Sequence, residues 1–501
     1  MNSALLPGVA QGIRSGNTAQ IQATPRVPQA LVTAVAVFAA LVAAHSLANG
    51  SIAQAVAVVL AAGYLGLVFI DLAAAIAVWA ALLFVVHLSV LSVAPTAIEI
   101  LLVIGWLGTA GPRRARLPVL QEHRLLVGAI ALFATWLTIS IIWAENPGKA
   151  ATSAGYTWEA ALAFVIVATT IVRPRDIRLV ALAIVIGAVF SVALGLFGIG
   201  GSISSVASTE IDTRLVGGGG DPNGQAAVFL AAMFVAGGLI GIFRRPAARI
   251  ALSLALAFIT VGFFATESRG GGLALAFALV AAFVLLPGQR ARVLGWTIIA
   301  AAGLAVYLQF QPAALDRITH LSGGGSGRED VWTVAWRIFR AHPLIGVGLD
   351  NFTVFEPRYA LDPGQLIDVR VVSETPVLVH NTYLQLLVET GPIGLFVVLI
   401  VVLGSLRASW LAARRFDALG RVDYANLARA VLIGTIGILA ANFFLTNGNN
   451  FLLWILFALG PVMLTLAKSW PVERTLAGSR PGGPAIEGLP SRNVTSDHLR
   501  R

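Results

Sequence analysis

The sequence predicts an all-α, polytopic integral membrane protein of twelve to fourteen transmembrane helices, with one large extracytoplasmic loop that contains a short amphipathic helix. Three observations predict it. Hydrophobic residues make up 57% of the 501 positions and charged residues 12%, at a mean hydropathy of +0.84, outside the soluble globular range. The apolar residues gather in about fourteen runs of the length a bilayer core requires. The basic residues lie in short clusters between those runs and not on one domain face, so the net charge of +10 points to membrane orientation and not to nucleic acid. Cysteine is absent, which excludes disulfides, thiolate metal sites and a cysteine nucleophile.

Taken in order, residues 1–29 hold no apolar core and read as a cytoplasmic tail ahead of an uncleaved first span at 30–48. Runs at 51–70, 72–92 and 95–110 follow, parted by little more than Asp71 and the stretch Ser92 to Pro95. Two of these can form one bent or re-entrant element, which sets the range of the count. Further runs lie at 125–143, 157–172, 179–200, 223–243, 250–267, 273–286, 294–309, 386–405, 430–445 and 451–468. The outward loop 310–385 is too short for a sizeable core of its own and too long for a connector. Within it, Glu329–Ala341 alternates apolar Val331, Trp332, Ala335, Ile338 and Phe339 with polar Arg328, Arg337 and Arg340 at helical spacing, predicting a helix along the membrane surface. Residues 469–501, rich in Gly, Pro, Ser and Arg, read as a disordered cytoplasmic tail.

Basic residues near spans are retained on the cytoplasmic side. With the N-terminus inside, the loops 111–124, 173–178, 244–249, 287–293 and 406–429 are all cytoplasmic and hold seventeen arginines. Both termini are then expected on the cytoplasmic side of the plasma membrane. The outward basic residues are the exceptions, among them Arg214, Arg269, Arg328, Arg337, Arg340, Arg358 and Arg370.

No phosphate-binding Gly-x-x-x-x-Gly-Lys-Ser/Thr loop, His-Glu-x-x-His, Gly-x-Ser-x-Gly or Asp-x-Asp occurs, so ATP hydrolysis, zinc proteolysis and metal-bound sugar-nucleotide chemistry lose their usual signatures. Arg214, Arg269 and Arg328 stand at outward span or helix ends, Arg269 in Glu267-Ser268-Arg269-Gly270-Gly271-Gly272. A guanidinium is charged at every relevant pH and offers a planar fork of donors that suits a diphosphate. Singly, each arginine is as well explained by lipid phosphates or a neighbouring carboxylate. His380, in His380-Asn381-Thr382-Tyr383-Leu384-Gln385, sits where the large loop re-enters the membrane, and neutral imidazole suits removal of a proton from a sugar hydroxyl. His342 reads as structural, ending the surface helix with Pro343.

These blocks, in order, resemble the bacterial O-antigen ligase and polysaccharide polymerase family. The residues concerned are Arg214 to Asn223, Ser268-Arg269-Gly270-Gly271, Gly327-Arg328 to Trp332, His342 to Gly348 with Asp350-Asn351-Phe352, and His380 to Gln385 with Glu389-Thr390-Gly391-Pro392-Ile393-Gly394. The resemblance spans 214–398 within a transmembrane glycosyltransferase domain of 30–468. It implies an enzyme that takes a glycan from an undecaprenyl-diphosphate carrier on the outer side of the plasma membrane, without metal or other cofactor. It assigns Arg214, Arg269 and Arg328 to the diphosphate and His380, with Arg269, to catalysis. The stretch Gly217 to Gly220 departs from the family pattern and leaves Arg214 the least secure placement.

Expected partners are the carrier-linked glycan, a glycan or lipid acceptor and membrane lipids. The favoured reaction is polymerisation of a surface polysaccharide, with Arg337 and Arg340 as acceptor contacts. The alternatives are a ligase moving a finished glycan en bloc, and a transporter or flippase of the lipid-linked glycan. A transporter would be expected to place ionisable residues deep in its spans, whereas the candidate residues here gather at the outer mouth.

Overall fold

A computed structural model describes residues 40–42, 44–85, 94–110, 118–198, 214–218, 220–310, 328–361, 366, 377–446 and 450–470. The predicted first span lies largely outside the described residues, as do 1–29, 471–501, 311–327 and most of 362–376. All regular structure among the described residues is helical. In chain order the helices are α1 (Ile52–Ile70), α2 (Leu72–Leu82), α3 (Ala94–Ala110), α4 (Pro118–Glu122), α5 (Arg124–Ile139), α6 (Pro147–Thr170), α7 (Pro174–Leu196), α8 (Pro222–Ile240), α9 (Pro246–Ala265), α10 (Arg269–Leu285), α11 (Arg290–Phe310), α12 (Arg328–Ala341), α13 (Phe352–Ala360), α14 (Thr382–Ala418), α15 (Val422–Ala441) and α16 (Phe451–Lys468).

Eight of these, α5 to α9 and α14 to α16, are long and apolar enough to cross a membrane. Helices α10 and α11 pass that test together across a 108° bend at Pro287, and α1 to α3 are shorter apolar helices. Several spans begin well ahead of their apolar runs. Helices α6, α7, α8 and α9 each open on a proline, whose fixed φ and missing N–H suit the first helical position, so the start is set by the cap and not by hydropathy. Helix α14 continues past the predicted 405 to Ala418, through the arginine-rich stretch.

The core centres on α15, whose apolar window is 89% buried. Helices α8, α10, α14 and α16 pack around it, and small residues set the spacing: a Cβ at Gly238 would press on Ala430, and one at Gly437 on Leu230. The loops predicted as cytoplasmic meet at one end. Arg175 pairs with Asp71 at 2.8 Å, Gln289 donates to Asn426 at 2.8 Å, and Lys468 pairs with Glu122 at 2.7 Å.

At the other end, the described part of the loop expected to face outward is a small second core locked into the first. The surface helix is realised as α12, but its apolar stripe does not face lipid. Val331, Val334, Ala335 and Ile338 are buried against Phe352, Val379 and Val388, because α13 and the start of α14 supply an apolar partner that sequence spacing alone cannot reveal. Gly391, at φ 69°, interrupts α14, and residues 344–350 dock at the break. The Val347 N–H donates to the Val388 carbonyl at 3.0 Å and the Gly348 N–H to that of Glu389 at 2.8 Å. A Cβ at Gly391 would run into the Leu344 carbonyl oxygen. Buried Asn351 takes the Asn146 N–H at 2.7 Å and returns its own amide to the Asn146 carbonyl at 3.2 Å. Arg358 forks onto Glu145 at 2.5 and 2.7 Å. The Gly-Val-Gly, Asp-Asn-Phe and Glu-Thr-Gly-Pro blocks therefore build the scaffold that holds the loop.

Candidate active site

Four helix N-termini come together at the end opposite the basic loops. Three are set by capping side chains. Asp221 caps α8 by accepting from the Asn223 and Gly224 N–H groups, Ser268 caps α10 through the Gly271 N–H, and Asn381 caps α14 through Tyr383 and Leu384. Arg328 opens α12. Aligned peptide dipoles leave each such end partly positive, so the site is electropositive before any side chain is counted.

Arg269 is the first residue of α10 and is exposed, with Gly270 and Gly271 buried behind it against Phe444 and Ala226. Only glycine leaves room there for so close an approach. Arg328 stands within electrostatic reach of both Arg269 and Asp221. Burial lowers its hold on its proton, Asp221 works against that, and the Arg269 charge adds to it. The guanidinium nevertheless stays charged. Arg214 donates from Nε to the Thr266 carbonyl at 2.8 Å and from a terminal nitrogen to Asn223 Oδ1 at 3.0 Å. The same Oδ1 accepts from the Ser268 hydroxyl at 2.8 Å. Asn223 thus couples the Arg214 segment to the cap beside Arg269. Gly217, Gly218 and Gly220 have φ of 57°, 85° and 75°, and a Cβ at Gly217 would strike the Ser191 carbonyl, which accounts for the glycine-rich departure from the family pattern.

His380 has φ 52°, a left-handed conformation costly for a non-glycine residue and retained only where its surroundings impose it. The imposition is visible. The peptide unit before it is held at both polar atoms, with the Val379 carbonyl accepting from the Trp332 indole at 2.9 Å and the His380 N–H donating to Thr446 Oγ1, also at 2.9 Å. Thr382 adds a hydroxyl bond to the Leu445 carbonyl at 2.7 Å. Burial and then the Arg328 charge hold the imidazole below the ordinary histidine range, against the pull of Asp221, so it is neutral near pH 7. A neutral imidazole beside fixed cations can take a proton, while the arginines and helix ends suit an anion.

The four residues singled out from sequence, Arg214, Arg269, Arg328 and His380, are therefore brought together. Arg337 and Arg340 are not. They lie nine and twelve residues along α12 from Arg328, on the order of 13 to 18 Å up the axis. Arg337 donates to the Tyr359 carbonyl at 2.9 Å and Arg340 stacks on Trp336. His342 lies against Phe355 and Tyr359, in keeping with a structural role. Sequence reading missed Asp221, Asn223, Trp332 and Thr446. The Asp221-Pro222 pair is a legible helix-start signal, Asn223 and Trp332 stand in the family-like blocks without a role read for them, and nothing local marks Thr446. Among the described residues no group of three or more His, Cys, Asp or Glu side chains is placed to hold a metal.

Residues 252–399 match the model of a protein family described as O-antigen ligase, which supports assigning the chain to that family. The match contains Arg269, Arg328 and His380 and leaves Arg214 outside it. A search of curated proteins finds no match.

Proposed function

We propose, with the O-antigen ligase match at 252–399 as premise, that this membrane protein is a metal-independent glycosyltransferase. It takes a glycan from an undecaprenyl-diphosphate carrier on the outer face of the plasma membrane. The observation that supports this most is the meeting of Arg269, Arg328 and Arg214 with a neutral His380 at four helix N-termini. Arg269 and Arg328 hold the diphosphate. Arg214, whose fork is engaged with Thr266 and Asn223, mainly fixes the geometry of that end while adding charge. His380 takes the proton of the acceptor hydroxyl as its oxygen bonds to the anomeric carbon. The bond from that carbon to the diphosphate breaks, and its electron pair leaves with the diphosphate, whose growing charge the arginines stabilise. Displacement from the face opposite the leaving group inverts the anomeric centre. A diphosphate leaves readily, so no hydrolase-type carboxylate pair is required.

Polymerisation would need a second diphosphate contact for the acceptor's carrier. Arg337 and Arg340 were its candidates, and their distance from the cluster and engagement with Tyr359 and Trp336 favour the ligase alternative, in which one unit moves en bloc. The test is purified protein in liposomes with a labelled lipid-diphosphate glycan. Covalent transfer supports the enzyme, and relocation without transfer means a transporter. A ladder of lengthening products from donor alone would restore the polymerase reading.

A further inference from the structure

A cavity of about 270 Å³ lies beside His380, enclosed by α5, α6, α14, α15 and α16. Leu378, Thr382 and Thr446 line it, so it begins on either side of the histidine. Its floor is apolar and aromatic, with Phe133, Trp454 and Phe457, while its upper wall is polar. Most hydroxyl donors of the polar wall are already committed. The Tyr383 hydroxyl is spent on the Leu439 carbonyl at 2.7 Å, Thr382 on Leu445 at 2.7 Å, and Ser153 on Asp350 Oδ2 at 2.8 Å. The acceptors are left over. Asn442, 2% exposed, and Gln385 each carry a buried carboxamide oxygen with no hydrogen-bond partner. The Gln385 assignment follows from its own amide donating to Glu389 Oε1 at 3.0 Å. Two carboxyl groups, Glu389 and Asp350, stand in the same wall, tied by the Asp350 N–H to Glu389 Oε2 at 2.9 Å.

A buried polar oxygen without a donor costs free energy that a ligand hydroxyl recovers. A wall rich in acceptors and carboxyl groups also disfavours phosphate, the reverse of the arginine cluster across the His380 segment. We infer that this cavity seats a neutral, hydroxyl-rich sugar unit of the acceptor, with its ring over the aromatic floor and its hydroxyls donating to Asn442 and Gln385 once those two side chains turn toward it. The inference rests on the transferase reading above for the word acceptor, though not for the binding itself. The volume is near the lower limit of about 300 Å³ for ligand pockets, which restricts the occupant to about one sugar ring. The two substrates are then sorted by charge, anion to the arginines and neutral carbohydrate to the cavity.

The chain contains no cysteine, so single thiols report on each site. Ser153→Cys places one in the cavity wall and Gly272→Cys one on the open surface beside Arg269. Modification by a small neutral thiol reagent is timed with two probes. These are inorganic pyrophosphate and oligosaccharides released by mild acid from the polysaccharide of cells that make the protein. Oligosaccharide should slow Ser153→Cys at least threefold and spare Gly272→Cys, and pyrophosphate should do the opposite. Protection of Ser153→Cys by pyrophosphate, by a polyprenyl phosphate alone, or by nothing overturns the inference. In transfer assays Asn442→Leu and Gln385→Leu should each raise the acceptor KM at least tenfold with the donor KM within twofold. A loss confined to kcat or to the donor KM refutes a sugar contact. If wild-type protein transfers nothing, the transferase reading fails while the protection experiment still decides the cavity. If transfer is normal and carbohydrate protects nothing, only the cavity inference fails.

Discussion

Replacing Asn223 by alanine tests whether the arginine cluster works as a unit. Its Oδ1 accepts from Arg214 at 3.0 Å and from Ser268 at 2.8 Å, so Asn223→Ala removes one charge-assisted and one neutral hydrogen bond. Charge-assisted bonds contribute about 1.5–3 kcal/mol and neutral ones about 1 kcal/mol, but the site is partly open and water replaces some of the loss. A net cost of about 2 kcal/mol in transition-state stabilisation corresponds to roughly a thirtyfold fall in kcat/KM. The assay is donor titration in proteoliposomes with Asn223→Ala, Arg214→Ala and the double variant. If Asn223 acts by holding Arg214, the double variant should be little worse than Arg214→Ala alone, with a coupling of about 2 kcal/mol. Two losses that multiply would refute the linkage and leave Asn223 a partner of the Ser268 cap only.

His380→Ala should lower transfer by about a hundredfold to ten-thousandfold while pyrophosphate protection of Gly272→Cys persists, and near-normal transfer would remove the base assignment. The acid limb of the kcat/KM profile should lie below the ordinary histidine range. Arg328→Gln removes a cation that opposes imidazolium, so that limb should move to higher pH, and an unmoved or lowered limb would contradict the proximity of the two. Gly391→Ala should cost at least about 1–3 kcal/mol, from backbone strain alone and before the collision with the Leu344 carbonyl, read as a lower melting temperature and loss of folded protein in detergent. Single cysteines at Glu329 and Leu361 should be modified from outside intact cells, and those at Gly288 and Ala418 only after permeabilisation; the reverse pattern would turn the site toward the cytoplasm.

The membrane class and the amphipathic helix were legible in hydropathy and helical spacing, and outward charge beside apolar runs drew attention to Arg214, Arg269, Arg328 and His380, but their assignment to one site rested on the resemblance of their blocks to a known family. Helix starts were less legible. Hydropathy sees the lipid-facing portion, whereas α6 starts at Pro147, ten residues before the predicted 157, because an Asn146 cap and a proline define its end. The apolar stripe of α12 was visible, but its partner was not: Val379 and Val388 lie about 50 residues away in sequence, and a short apolar face looks the same whether lipid or protein covers it. Thr446 escaped notice because its value lies in one hydrogen bond to the His380 backbone, and Asn442 because burial without a partner has no sequence signature. Arg337 and Arg340 misled for a related reason. Their charge is as evident as that of Arg328, and only the helix axis separates them from the site.

The four helix ends have a consequence for the pace of turnover. Their partial charges are built from backbone and cannot swing away once the glycan has moved. On the proposed reaction the spent carrier would keep its full negative charge, so surroundings that favour bond breaking would grip the product at least as firmly as the donor. Departure of the empty lipid then competes with chemistry as the slowest event. The throughput of the proposed reaction would then depend on how fast another activity in the membrane consumes or clears that lipid, as much as on His380 itself.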